Sequence, residues 1–447
     1  MTKSMVEGSP IKLILSFAVP LLIGNLLQQT YNMIDAAIVG KVLGSDALAA
    51  VGASSSVQFL VLGFCMGICA GFSVPIAKYF GAGDIRRLKS CVYHAYILAV
   101  FFSCILTGVT AYFCPQILHA LKTPGNIYKD AYSYLFVIFL GIPFSILYNL
   151  LAGMLRAVGD SKTPFIFLAI STVLNIFFDL FCIVVLKLGC AGAAIATVFA
   201  QALSGIMCLF FMLRRMPLLR VDKQARELKK NVFSELLVMG LPMGLQYSIT
   251  AIGSMVMQSA NNGLGSIYVS GFTAASKLKQ FAMCPFDAIA TGVSVFAGQN
   301  LGAGNVKRIR KGIISGVLVG GGYGIFIGIV LILFGRPLSL LFVSAEDTKV
   351  LNASAKYCFC SGFFFWLLGI LNTLRMTIQG LGFSGIAIFS GVLEMIARIA
   401  VSKIFVPLYG YTAICFTDQT AWVVATIYCI IICSFCLRRI ERQLSSR

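Results

Sequence analysis

Twelve apolar stretches separated by short polar breaks leave this chain few ways to fold. They run over 12–40, 48–78, 91–115, 130–158, 163–186 and 190–214, then over 233–263, 270–301, 310–335, 350–381, 385–406 and 410–437. Windows of about 20 apolar residues cross a bilayer as helices, because a helix satisfies its own backbone hydrogen bonds in hydrocarbon. The 447 residues are 59% hydrophobic and 11% charged, a balance foreign to water-soluble domains of this size. The first window continues past Asp35 without a small-residue cleavage site, so it reads as a span rather than a removable leader. The expected fold is all-α and integral to the membrane, with twelve transmembrane helices in two pseudo-symmetric six-helix bundles.

The net charge of +19 invites a nucleic-acid reading, but its placement points to topology. Lys3, Lys12, Lys78, Arg86, Arg87, Lys89, Arg156 and Lys162 fall on alternate loops. So do Arg214, Arg215, Arg220, Lys223, Arg226, Lys229, Lys230, Lys307, Arg308, Arg310, Lys311 and the tail Arg438, Arg439, Arg442 and Arg447. The opposite loops hold only Lys41, Lys122, Lys129, Lys187, Arg336, Lys349 and Lys356. Basic loops stay inside, so both termini are expected in the cytoplasm and no nucleic-acid partner is expected. The 15 cysteines lie mostly in apolar segments and read as small buried hydrophobes, and two histidines are too few for a histidine-rich metal or catalytic centre.

The halves repeat. GFSVPIAKYFGAGDIRRLK (71–89) matches GVSVFAGQNLGAGNVKRIR (292–310) at a constant offset of 221, and Pro20 aligns with Pro242. The lobes are expected at 1–214 and 233–447, with 215–232 as a cytoplasmic linker. Two halves in the same orientation imply an axis along the membrane normal, a plan secondary transporters use to alternate access. The GAG turns read as helix stops. GxxxxGK[ST], HExxH and GxSxG do not occur, so neither an ATP-driven pump nor a hydrolase has visible machinery, and no enzyme is expected.

Within the first span, Pro20–Asp35 combines Asn25, Gln28, Gln29, Asn32 and a carboxylate with a helix-breaking proline. A charge at bilayer depth costs roughly 3 kcal/mol or more, so Asp35 is expected to face protein or water. Pro20 removes a backbone hydrogen bond and invites a hinge.

PLLIGNLLQQTYNMID, the paired GAG turns, LRAVGDSKTP (155–164) and LNIFFD (174–179) together resemble the multidrug and toxic compound extrusion (MATE) family over nearly the whole chain. Within it the chain is similar to the prokaryotic branch with a cation site in the N-terminal lobe. The resemblance implies an antiporter, without cofactor, that exports organic cations and amphipathic compounds in exchange for H⁺ or Na⁺. It implies a cation site of Asp35, Asn175, Asp179 and Thr197. The branch that uses a helix-7 glutamate has its acid where this chain has Thr250, and no acid lies between Tyr357 and Gly380 in helix 10. A C-lobe cation site of that pattern is not expected.

Asn175 and Asp179 share one helix face. Two neighbouring carboxylates in a low dielectric cannot both ionise cheaply, so Asp35 and Asp179 should share a proton, or bind Na⁺ with oxygens from Asn175 and Thr197. Buried helix–helix glue is the plainer reading for each. In the C-lobe, Lys277, Lys279, Asp287, Glu394, Arg398 and Asp418 fall at apparent membrane depth, and aligning Gly189 with Gly410 sets Asp418 opposite Thr197. A structural ion-pair network is the favoured reading; a role for Glu394, Arg398 and Asp418 toward substrate or a second proton is the other. Tyr31, Tyr148 and Met257 are candidates for lining a substrate cavity, against ordinary packing. The expectation is a monomeric multi-pass efflux antiporter in the plasma (inner) membrane of a bacterium, with lipids and small molecules as partners. A lipid-linked oligosaccharide flippase with a cationic cavity is the alternative.

Overall fold

A computed structural model describes residues 4–121 and 123–445. Lys3, Lys122 and Arg447, used above for topology, lie outside them. Regular structure among the described residues is helical throughout. The spans are α1 (Pro10–Leu43), α2 (Ser45–Gly81), α3 (Ile85–Tyr112), α4 (Gly125–Leu140 with Ile142–Ala157), α5 (Lys162–Leu180) and α6 (Gly189–Arg215). The second set is α7 (Lys230–Asn262), α8 (Ser266–Gly302), α9 (Val306–Ser339), α10 (Thr348–Gly362 with Phe365–Gly380), α11 (Ser384–Ala400) and α12 (Tyr411–Ser445). The protein is an all-α integral membrane protein of twelve transmembrane helices in two pseudo-symmetric bundles of six.

The sequence repeat is also a repeat of backbone shape. α2 and α8 have the same length, and both their ends coincide at the offset of the sequence repeat. Each follows a left-handed glycine, Gly44 (φ 93°) or Gly265 (φ 101°), and each is closed by another, Gly83 (φ 70°) or Gly304 (φ 71°). The GAG turns therefore stop helices, as expected: a residue without Cβ enters the left-handed region at no steric cost. The next helices are capped alike, Asp84 accepting from the Arg87 amide at 3.0 Å and Asn305 from the Arg308 amide at 3.1 Å. α4 bends by 45° and α10 by 56° at matching places; Pro143 removes a hydrogen bond at the α4 bend. α5 and α11 both end in a π-helical segment, Phe181–Val185 and Val401–Phe405.

The chain forms two compact units, Ile23–Gly244 and Met5–Leu22 with Leu245 onward. These units depart from the expected lobe boundaries in two segments. The first half of α7 packs in the first unit, where Cβ atoms added at Gly67 and Gly71 of α2 would lie 2.5 Å from Met243 O and Gly240 Cα. Tyr79 donates to both Glu235 carboxylate oxygens at 2.9 and 3.0 Å. In the second unit, Gly292 of α8 lies against Ile14 and Phe17 of α1, and Arg308 donates to the carbonyls of Gly8 (2.7 Å) and Met5 (3.1 Å). α1 itself runs unbroken through Pro20, and the division falls within a turn after it.

Candidate functional site

In the first unit, α1, α5 and α6 carry the residues singled out in the sequence. Tyr31 and Asp35 are one turn apart on α1, as are Asn175 and Asp179 on α5, so each pair shares a face. All three residues with carboxyl or amide groups are buried: Asp35 is 8% exposed, Asn175 1% and Asp179 fully enclosed. The two carboxyls are neighbours. Half-buried Thr197 of α6 shares a hydrogen bond of 2.7 Å with the Tyr31 phenol. Tyr31 thus stands beside Thr197 and both carboxyls, and Asn175 lies one turn from Asp179 on α5.

Asp35 Oδ1, both Asp179 carboxylate oxygens and both polar atoms of Asn175 are buried without a hydrogen-bond partner among the described residues. Leaving such groups unsatisfied costs about 1–3 kcal/mol each, more when charged, so buried polar atoms of this kind mark a place for a proton, a cation or water. The donors are oxygens, suited to a proton or a hard cation rather than a soft metal. Among the described residues, no three His, Cys, Asp or Glu side chains converge as a metal cluster.

Two members escaped sequence reasoning. Tyr134 of α4 stands beside both carboxyls and beside Gln58 of α2. A usable signal existed: Tyr134 and Tyr357 are counterparts at the offset that also relates the starts of both pieces of α4 and α10. Of the proposed cavity residues, Tyr148 packs against the core of the first unit, near Arg156 and Cys208 rather than the carboxyls. Met257 is 3% exposed within the core of the second unit.

The second unit holds a continuous ion-pair network. Asp418 Oδ2 accepts from Lys279 Nζ at 2.5 Å and from the Tyr357 phenol at 2.7 Å, and Lys279 also donates to that phenol at 3.0 Å. Asp418 Oδ1 accepts from Arg398 Nε at 2.9 Å. Arg398 reaches Glu394 at 3.3 Å, the expected i,i+4 pair, and Arg375 reaches the other Glu394 oxygen at 2.7 Å. Arg375 in turn stands near Asp287. Arg375 and Tyr357 had not been anticipated as members. Lys277, grouped with these charges from the sequence, is exposed instead and lines a surface groove with Phe342, Ser344 and Asp347. Each step along a helix turns the side chain by about 100°, so two steps set Lys277 on nearly the opposite face from Lys279.

The family model MatE matches residues 20–181 and again 242–404, once in each half. The chain belongs to the MatE family. Over 377 residues it is 30% identical to the probable multidrug resistance protein YpnP of Bacillus subtilis, covering 84% of each chain. It is 24% identical to the multidrug export protein MepA of Staphylococcus saprophyticus over 421 residues, 91% of this chain and 90% of that one. The MATE fold extends across the molecule. A structure described as the outward-facing conformation of a multidrug resistance MATE family transporter of the MOP superfamily superposes with a TM-score of 0.92 at 20% identity, over 98% of both chains. A MATE crystallised with MaL6 gives 0.93 at 20% identity, over 99% of this chain and 100% of that one.

Proposed function

We propose that this MATE protein is a secondary active efflux antiporter of the bacterial inner membrane, with both termini in the cytoplasm. It exports organic cations and amphipathic drugs in exchange for H⁺ or Na⁺. One observation carries the reading: two buried neighbouring carboxyls, Asp35 and Asp179, of whose four oxygens three, together with both polar atoms of Asn175, lack a partner outside the acid pair. An uncharged or cation-loaded pair costs less to bury than two bare charges, so the loading of this cluster is coupled to conformation. Relatives named as multidrug resistance and export proteins support the substrate class.

In this mechanism the coupling ion enters from outside and neutralises Asp35 and Asp179. α1 then bends at Pro20, the N-lobe cavity shrinks and the exported compound leaves. The two conformations must differ in affinity for the ion, since equal affinity shifts nothing. The flippase alternative asks for cations facing a cavity, whereas Lys279 and Arg398 are engaged by Asp418 and Glu394. Ethidium efflux from cells, under an imposed pH gradient and separately under a Na⁺ gradient, tests the reading. Wild type should export and Asp35→Asn should not, with the effective gradient naming the ion. Normal export by Asp35→Asn under both gradients would overturn the assignment.

A further inference from the structure

The two units are built on one plan, and the ion-pair network stands where the carboxylate cluster stands in the first. α2 and α8 coincide end to end at an offset of 221, which sets Lys279 at the position of Gln58. Both pieces of α4 and α10 begin at one common offset, which sets Tyr357 at Tyr134. The left-handed glycines Gly189 (φ 59°) and Gly410 (φ 55°) open α6 and α12, which sets Asp418 at Thr197. The same contact recurs in both units: Tyr134 stands beside Gln58, and Tyr357 is 3.0 Å from Lys279. The place of Asp35 is taken by Met257 when Pro242 is set on Pro20, or by Val256 when the register of α2 and α8 is carried back. Either is apolar.

The charges differ in a way that matters for a coupled transporter. In the first unit, buried carboxylate oxygens lack partners. In the second, both oxygens of Asp418 are engaged, Oδ2 by the Lys279 ammonium and Tyr357, and Oδ1 by Arg398. The groups around it balance: Lys279, Arg375 and Arg398 against Asp287, Glu394 and Asp418. Tyr411 and Cys415 are the remaining titratable neighbours of Tyr357. An ammonium and a sodium ion offer a carboxylate the same single charge; the difference is that Lys279 is held by its own helix and cannot leave.

We propose that the Lys279 ammonium is a tethered cation. It fills in the second unit the place that mobile H⁺ or Na⁺ takes in the first, and so closes that unit to the coupling ion. Removing it opens Asp418 Oδ2 and the Tyr357 phenol, the two oxygens that Lys279 touches, to a hard monovalent cation or a proton, while Oδ1 stays on Arg398. Lys279 thereby sets the number of coupling ions per cycle. The comparison rests on the proposed role of Asp35 and Asp179, whereas the Lys279–Asp418 geometry does not.

The experiment measures the thermal midpoint of the purified full-length protein in choline chloride against sodium chloride, and at acidic against neutral pH. Asp35→Asn/Asp179→Asn is the background in which the first unit is silenced, and it should respond to neither. Adding Lys279→Gln, the residue found at position 58, should restore a rise of about 3 °C or more in Na⁺ or acid. Adding Asp418→Asn as well should abolish that rise, because the charge balance is then restored without a cation. A variant with Lys279→Gln that responds to neither cation overturns the proposal, as does a response that survives Asp418→Asn or is already present in the background. If Lys279→Gln is recovered folded only in Na⁺ or acid, a mobile cation has replaced the ammonium and the proposal stands. If it stays unfolded in both while Lys279→Gln/Asp418→Asn folds, the proposal fails. A wild type indifferent to both cations sinks the first-unit reading alone, and the comparison of Lys279→Gln with wild type still decides this one.

Discussion

The phenol of Tyr31 lies 2.7 Å from the Thr197 hydroxyl, tying α1 to α6 one turn before Asp35. This bond fixes the helix that carries the acid against the helix that would supply a further oxygen. Tyr31→Phe removes it while keeping the ring. A neutral hydrogen bond is worth about 1 kcal/mol, so the cation concentration giving half-maximal efflux should rise about fivefold. A dose–response of efflux against pH and Na⁺ reads this, and an unchanged midpoint would show that the tie does not position the site.

Asn175 separates the two possible coupling ions. A proton needs only a carboxylate, while Na⁺ needs several oxygens around it. Asn175→Leu should therefore weaken a Na⁺-driven cycle by about tenfold or more in Na⁺ affinity, in the range set by loss of a charged group's partner. A proton-driven cycle should keep most of its rate. Efflux under each gradient in turn gives the answer.

Glu394 sits between two guanidinium groups at 2.7 and 3.3 Å. Glu394→Gln leaves Arg375 and Arg398 without that charge in a buried setting, a change that costs about 3–5 kcal/mol in comparable buried pairs. The thermal midpoint should fall by several degrees. Lys277→Ala, at an exposed position, should change it little. A fall confined to Lys277→Ala would invert the assignment of which lysines belong to the network.

α9 approaches α10 backbone to backbone. A Cβ at Gly324 would lie 2.5 Å from Trp366 Cα and 2.7 Å from Phe365 O, the close approach that small residues permit between membrane helices. Gly324→Val should destabilise by about 1–3 kcal/mol through overpacking. Gly322→Ala, on the same helix with nothing within 4 Å, should be neutral or stabilising, because alanine is the better helix former by about 1 kcal/mol. Thermal melts of the two variants make the comparison.

The segment between α6 and α7 is pinned by Asp222. Lys89 donates to it at 3.0 Å and so does the Ala225 amide at 2.9 Å, and these bonds hold its carboxyl below the usual carboxylate range. A depressed acid contributes stability above its unfolded pKa and loses it as pH falls through the folded one. Amide exchange at 222–226 should therefore be flat with pH above about 4, once corrected for intrinsic exchange, and should rise only below it. Asp222→Asn should show raised exchange at neutral pH and no such step.

Much of the site was legible because helical spacing is local. Asn175 and Asp179 had to share a face, and Asp35 had to avoid lipid, whichever helices surrounded them. Tyr134 and Gln58 were not legible in the same way. A tyrosine and a glutamine in apolar spans have many uses, and only tertiary packing sets Tyr134 beside the acids and Gln58 beside Tyr134. Arg375 was not legible for a related reason, since its partner Glu394 is on another helix. Lys277 was overassigned because hydropathy gives depth along a helix but not the direction a side chain takes.

By itself the sequence determined the twelve helices, the repeat, the helix-stopping glycines and the face of α5 that carries Asn175 and Asp179. Each follows from hydropathy or backbone preference within a few residues or from identity between halves. Only the tertiary structure decided that the first half of α7 packs with the first unit, that Tyr31 meets Thr197, and that Lys279 rather than Lys277 reaches Asp418. Those outcomes depend on which faces meet across 139 or 166 residues of chain. Distance along the sequence carries no information about that until the helices are packed.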